Sequence, residues 1–420
     1  MVDKYYNKYI RIPPDQSVDI RSISPIISHP LFNRLIFISQ LGSTLTVFPG
    51  ATHNRFEHSL GVYSKTLRFC QRMLSEGFLN KKEAINIPLF ALLHDIGHGP
   101  FSHVIEKVTG ISGDEDENGL VVLESFRDAL KKSGGDFEFI KSLFQHKNPA
   151  YKIVMDKNMG MDKLDYLERD VYHLGFGQRP DVESVLDYLV FFDNKLVVDK
   201  KSLEAAKQIQ SLYMYMYKEA YLHKSALIAQ RFIHKIIKIL VTLENIDLKN
   251  MWQLNDHQLL SKVYSSSDPR LKILYKSYVD RSLPKTGLVV RLKDREFKER
   301  IAGKKIKVIG MDMDFFNNLE KYSSPEKLEK IEDKIAEALG VEGYKIIVVP
   351  TLTPWRFVPE DILYHDHGKI YSLRDTHKEY FMALKSEMND YLAVRVCILG
   401  DRELIYKNYT KILKILKSLK

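Results

Sequence analysis

Cysteine is nearly missing from this 420-residue sequence, which has only Cys70 and Cys397. Two cysteines so far apart argue against a disulfide framework and against a cysteine metal site. Long apolar runs are also missing. None approaches the roughly 20 residues that cross a bilayer. The opening Met1-Val2-Asp3-Lys4-Tyr5-Tyr6 lacks the apolar core of a secretion signal. The expectation is an intracellular, cytoplasmic protein without a membrane partner. No internal repeat is visible. Low complexity is confined to Asp114-Glu115-Asp116-Glu117-Asn118-Gly119, read as an acidic loop.

The rest of the composition is that of a globular chain, 45% hydrophobic and 28% charged. The length suits two or three domains. A formal net charge of +9 favours anionic partners, either nucleotides or nucleic acid. The densest basic run, Lys407, Lys411, Lys414, Lys417 and Lys420, has helical spacing. It reads better as a solvated helix face than as a nucleic-acid patch.

Periodicity divides the chain. Residues 1–30 are irregular, and a helical pattern follows from Leu31. Asn54 suits an N-cap for a helix through Phe69 and beyond, with Phe56, Leu60, Tyr63, Leu67 and Cys70 on one face. Pro88 is expected to open the next helix, whose end, Leu89 to His94, is almost wholly apolar. Gly97, Gly99 and Pro100 should break it, with a new helix from about Ser102. Asp162 to His173 reads as a helix stopped near Gly175 and Gly177. A long helical stretch is expected over Ser202 to Leu243. After Pro284 the pattern changes to strands at 288–290, 306–309, 346–350, 369–371 and 392–397, alternating with helices near 325–339, 374–388 and 402–419. The expected fold class is mainly α: a helical core over 1–245, a helical connector over 246–285 and a C-terminal α+β domain over 286–420.

The chemistry concentrates in Leu92-Leu93-His94-Asp95-Ile96-Gly97-His98-Gly99-Pro100-Phe101-Ser102-His103. Lone histidines on apolar helices, such as His173 and His234, are ordinary core residues. An adjacent His-Asp pair in an apolar run is different, because burying Asp95 without a partner is costly. A divalent metal supplies the partner. His58, His94, Asp95 and Asp162 together form a nitrogen and oxygen donor set from three segments. Such ligands suit Fe, Mn, Zn or Ni, with Mg nearer phosphates.

Four stretches carry a resemblance. They are Gln40-Leu41-Gly42, the run from Val47 to Val62 with Asn54-Arg55-Phe56-Glu57-His58-Ser59-Leu60-Gly61, the run from Leu92 to His103, and Asp162-Lys163-Leu164-Asp165-Tyr166-Leu167-Glu168-Arg169-Asp170. Ala220-Tyr221-Leu222-His223-Lys224 adds to them. In these the chain resembles the HD-domain phosphohydrolases, and within them the deoxynucleoside triphosphate triphosphohydrolases, without a SAM domain. The match is dense to about residue 235 and looser after it. It implies water attack at the α-phosphate of a dNTP, with release of deoxynucleoside and triphosphate. It also implies roles: Arg55 on phosphate, Lys163 and Tyr166 on the phosphate chain, and His98 and His103 as proton-transfer or charge-stabilising groups. Gln40, beside Leu41, and Asp170 match the pair that reads the 3′-hydroxyl. Tyr221 matches the ring beneath the sugar. A homo-oligomer, dimer or tetramer, is implied as well.

The chain also departs from that pattern. The family's His-Glu pair after the His103 position is missing, since no histidine lies between His103 and His146. Glu106 stands where an aspartate is usual. Tyr213 replaces a phosphate-contacting arginine. Ser28 and Ile36 occupy the positions of a guanine-activator pocket, and an isoleucine cannot hydrogen-bond a base. Two other readings therefore stay open: a phosphodiesterase or nuclease on another nucleotide or single-stranded nucleic acid, and a weakly active or inactive nucleotide sensor.

Overall fold

A computed structural model describes residues 8–14, 16–109, 118–177, 179–244, 246, 251–299 and 301–419. Most of the expected acidic loop, 114–117, lies outside the described residues. The chain is mainly α and divides into two compact units. The first comprises Met1–Met216, Asp247–Leu259 and Pro359–Lys378. The second comprises Tyr217–Ile246, Leu260–Val358 and Glu379–Lys420.

Three of the first unit's helices matter most for the site. Arg55–Ser75 starts at Asn54, whose side chain accepts from the Glu57 amide, and buries Phe56, Leu60, Tyr63, Phe69, Cys70 and Met73. Lys81–Leu93 starts at a capping box made by Asn80 and Glu83. Pro88 does not open this helix as expected. It lies inside, because the Asn80 box eight residues upstream supplies the start. Met161–Leu174 ends at Gly175, whose φ of 75° makes a left-handed cap.

A four-stranded sheet completes this unit, in the order Leu189–Phe192, Lys195–Asp199, Leu363–Asp366, Lys369–Ser372. Its first hairpin turns at Asp193 and Asn194, with φ of 47° and 59°. Lys195–Asp199 then runs parallel to Leu363–Asp366, so strands far apart in sequence pair directly. The strand expected near 369–371 is present, but it pairs here rather than with the other C-terminal strands.

In the second unit the order is Lys307–Met311, Lys285–Leu292, Ala393–Ile398, Ile346–Thr351. Ala393–Ile398 is antiparallel to both its neighbours. Alternation sorts the side chains: Leu288, Val290, Val348, Val394 and Val396 join one apolar cluster with Ile331, Ile335 and Ile412, while Val289 and Ala393 join another. Helix Pro325–Leu339 begins on Pro325 and ends at Gly340, with φ of 68°. The helical stretch expected over 202–243 is interrupted. Leu203–Met216 gives way to a π-helical turn, Tyr217–Tyr221, before Lys224–Glu244 begins. No helix among the described residues is long and apolar enough to cross a membrane.

Candidate metal centre

Helical spacing puts Arg55, His58, Gly61 and Lys65 in line on one buried face of the Arg55–Ser75 helix. His94 caps the end of Lys81–Leu93 and Asp95 follows it, so both are held inside the fold. Asp162 sits in the first turn of Met161–Leu174, partly open to solvent. Three helices thus deliver their polar groups to one point.

His58, His94 and Asp162 each offer a ligand atom there, and these atoms lie within 4.8 Å of one another. His58 Nε2 is 2.9 Å from Asp162 Oδ1, and His94 Nε2 is 3.6 Å from the same oxygen. Asp95 lies close by, 3.4 Å from His94 Nε2 and 3.7 Å from His58 Nε2. His94 Nδ1 donates to the Ala91 carbonyl at 2.7 Å, which turns the lone pair of Nε2 toward the cluster. That Nε2 is buried and has no hydrogen-bond partner among the described residues. An orphaned imidazole nitrogen facing carboxylates is what a metal ligand looks like without its ion. The donor set fits a divalent cation with nitrogen and oxygen ligands.

The electrostatics agree. Burial opposes protonation of His58, yet the hydrogen bonds its ring donates to Asp162 and Asp165 outweigh it and push the imidazole up to about 9. Burial also opposes a charged His94, and the Asp95 charge reverses that and raises it. For Asp95 and Asp162 burial acts upward. Arg55 and His94 hold Asp95 well below the usual carboxylate range, and His58 and His94 do so for Asp162. The pocket therefore gathers carboxylates that stay ionised and imidazoles that attract positive charge, and a cation satisfies both.

A second layer, not anticipated from the sequence, orients His58. Asp165 Oδ2 lies 2.9 Å from His58 Nδ1. Asp165 is itself held by Lys65 at 2.7 Å and by two bonds from Arg169. Gly61 makes the approach possible, since a Cβ there would meet Asp165 Oδ1 at 2.1 Å. The signal was available in the Asp162-x-x-Asp165 spacing, where the second carboxylate falls beside the first on the helix.

The other expected site residues divide by location. Arg55 donates from Nη1 to Asp95 Oδ2 and from Nε to Ser102 Oγ, both at 2.7 Å. Burial lowers Lys163 to about 7. Its ammonium donates to the Lys157 carbonyl and stands 3.5 Å from the Tyr213 ring centroid. Tyr166 is half-buried on the same helix as Lys163. His98 Nε2 lies 3.3 Å from Asp95 Oδ1, and its Nδ1 lies 2.9 Å from Glu106. His103 is exposed and meets the other Glu106 oxygen at 2.8 Å. Glu106 thus bridges two imidazoles. Burial acts against its ionisation, but His103 and His98 hold it far below its ordinary value. Gln40 and Asp170 are brought together by His53, which the sequence reading missed. The Gln40 backbone N–H donates to the His53 carbonyl, and His53 Nε2 lies 2.7 Å from Asp170 Oδ1. Gln40 Oε1 is buried without a hydrogen-bond partner among the described residues, and Leu41 beside it is half-buried. Tyr221 belongs to the second unit, in the π-helical turn. Ile36 is exposed on a 3-10 turn of the first unit, Arg34–Phe37.

A model of the HD domain matches residues 55–170, and a model of an HD associated region matches residues 181–387. The chain carries an HD domain and resembles the HD-domain phosphohydrolases. Within that class it resembles the deoxynucleoside triphosphate triphosphohydrolases. It is 29% identical over 263 residues to the deoxynucleoside triphosphate triphosphohydrolase SAMHD1 of Bos taurus, covering 52% of this chain and 43% of that protein. It is also 31% identical over 245 residues to an uncharacterized protein of Bacillus subtilis, covering 55% of each. The chain thus spans about half the length of the curated relatives it matches. A phosphohydrolase from Bacteroides thetaiotaomicron shares the fold, with a TM-score of 0.72 at 22% identity over 94% of this chain and all of that one.

Proposed function

We propose that this chain is a metal-dependent nucleotide phosphohydrolase that cleaves dNTPs to deoxynucleoside and triphosphate. The observation that carries the reading is the open donor set of His58, His94 and Asp162 with two buried cations, Arg55 and Lys163, on the same two ligand-bearing helices. Asp95 completes the proposed ligands. A divalent ion held there, Fe, Mn, Zn or Ni, would supply Lewis-acid stabilisation of phosphoryl charge, with Mg accompanying the phosphates.

The chain's own groups do the rest. Arg55 presents a planar fork suited to paired phosphate oxygens, and its bonds to Asp95 and Ser102 hold that fork in place. Lys163, lowered toward neutrality by burial, gains an anionic partner when phosphate enters. Tyr166 adds a hydroxyl on the same helix. His98 is the buried and His103 the exposed proton donor of a pair joined through Glu106. Their bridge offers a substitute for the missing His-Glu pair. Gln40 brings an unused buried acceptor toward a sugar hydroxyl, and Asp170 is oriented for the same task by His53. Tyr221 keeps its sugar-packing role on resemblance alone. A homo-oligomer in the cytoplasm completes the reading.

The test is product analysis. Purified protein is incubated with each dNTP and NTP, with Mn or Mg and with a chelator control. Deoxynucleoside plus intact triphosphate, lost on chelation, is the expected result. Mono- or diphosphate products would assign another bond. No product from any nucleotide, with cleavage of a labelled single-stranded oligonucleotide, would replace the reading by a nuclease.

A further inference from the structure

The loop that carries His98 is held by a segment more than 150 residues downstream. Phe101 and Ser102 both adopt left-handed backbone, with φ of 57° and 52°. Two consecutive non-glycine residues in that region persist only where surrounding contacts impose it. The contacts are specific. Asp256 Oδ1 accepts from the Phe101 amide at 2.7 Å, while Asp256 Oδ2 accepts from the amide and the hydroxyl of Ser39 at 3.0 and 2.6 Å. Ser39 in turn accepts at its carbonyl from Ser102 Oγ, the oxygen that receives Arg55 Nε. At the other end of the loop, Arg34 Nη2 donates to the His98 carbonyl at 2.6 Å. Arg34 Nη1 donates to the carbonyls of Trp252 and Leu254 at 3.1 and 2.9 Å. Trp252 packs so closely on the loop that a Cβ on Gly99 would meet its ring at 2.7 Å.

We infer that Asp256 and Arg34 are positioning residues, a two-point clamp that locks the His98–Ser102 loop and the Ser39-Gln40 segment into one rigid arrangement. The chemistry suits the task. A buried carboxylate that accepts three bonds fixes direction more tightly than a neutral acceptor. Through Ser102 the clamp orients the Arg55 fork, and through Ser39 it sets the start of Gln40. One carboxylate thereby aligns the phosphate side and the sugar side of the proposed site. None of the proposed metal ligands touches Asp256, so loss of the clamp leaves metal binding in place. The inference rests on the proposed function for its effect on turnover and on geometry alone for its effect on the loop.

Asp256→Asn in the full chain tests it. The amide group keeps one acceptor but turns an N–H toward either Phe101 or Ser39, each of which is already a donor. Hydrogen–deuterium exchange should speed up by about 10-fold or more in peptides covering residues 96–106 and 38–42. Peptides of the Arg55–Ser75 helix should exchange as before, and metal per chain should be unchanged. In the nucleotide assay kcat should fall about 10- to 100-fold with KM little altered. Ser39→Ala, which removes only the hydroxyl bond, should give a smaller acceleration and serves if Asp256→Asn does not fold. Unchanged exchange at 96–106 in the folded variant would overturn the clamp. So would a loss of kcat that merely tracks lost metal. Failure of the wild-type protein to turn over any nucleotide would instead sink the proposed function and leave the exchange result standing.

Discussion

Both units bury carboxylates among cations, but they finish the job differently. In the second unit Glu332 is fully buried, and its oxygens accept from Arg231 at 3.0 Å, Lys235 at 2.7 Å and the Val348 amide at 2.9 Å. Lys235 spends its other donors on the carbonyls of Gly343 and Ile346. In the first unit His94 Nε2 faces Asp162 and Asp95 with no hydrogen-bond partner among the described residues. Burial of charge is common to both. A carboxylate with both oxygens occupied, as in Glu332, marks architecture, because its desolvation on folding is compensated. A donor set left open marks a place for something the chain does not itself supply. The contrast also separates Asp165 from Asp162: the first has all its partners and orients, the second keeps an approach from solvent.

The contrast breaks most visibly at the metal. Asp162→Ala should lower metal affinity by more than the about 10- to 100-fold typical of an outer-shell change, and turnover with it. Elemental analysis after dialysis reads this directly, and full metal occupancy in the variant would remove Asp162 from the ligands. Next in size is Glu332→Ala. Leaving Arg231 and Lys235 buried without their carboxylate should cost about 3–5 kcal/mol of stability. Denaturant unfolding measures the loss, and metal content should not change. A variant that lost metal as readily as stability would erase the distinction between the two regions.

The smallest effect concerns acid. Burial raises the Glu299 carboxyl, but Arg395, Arg291 and Lys224 outweigh it and bring it from an ordinary 4.5 down to about 2. A carboxylate whose folded value is depressed stabilises the fold above its unfolded value. That contribution fades as pH falls from about 4.5 through about 2. Glu299→Gln should therefore be less stable than the wild type at pH 6, with the gap narrowing toward pH 3. A gap that stays constant with pH would mean that the carboxylate charge does not contribute.

Much of the site was legible because its chemistry is written in short, local patterns. Asn54 before an amphipathic run marks a helix start wherever it occurs, and the spacing of Arg55, His58 and Gly61 puts them in line on that helix without any tertiary information. His94-Asp95 at the end of an apolar run implies buried charge, and buried charge implies a partner. Other features were not legible for an equally physical reason. Pro88 has helical neighbours strong enough to carry it inside a helix. The break at Tyr217–Tyr221 leaves no proline or glycine behind to announce it.

What the sequence by itself determined is the inventory: the helical core, the HD motif and its nitrogen and oxygen donors, all set by spacing along single elements. The tertiary structure alone decided who meets whom across long separations. It paired Lys195–Asp199 with Leu363–Asp366, brought Asp165 to His58 and His53 to Asp170, and tied Asp256 to Ser39 and Phe101. Periodicity reports which face of an element is buried. It carries no information about which distant face comes to cover it, because that choice is made by packing of the whole chain.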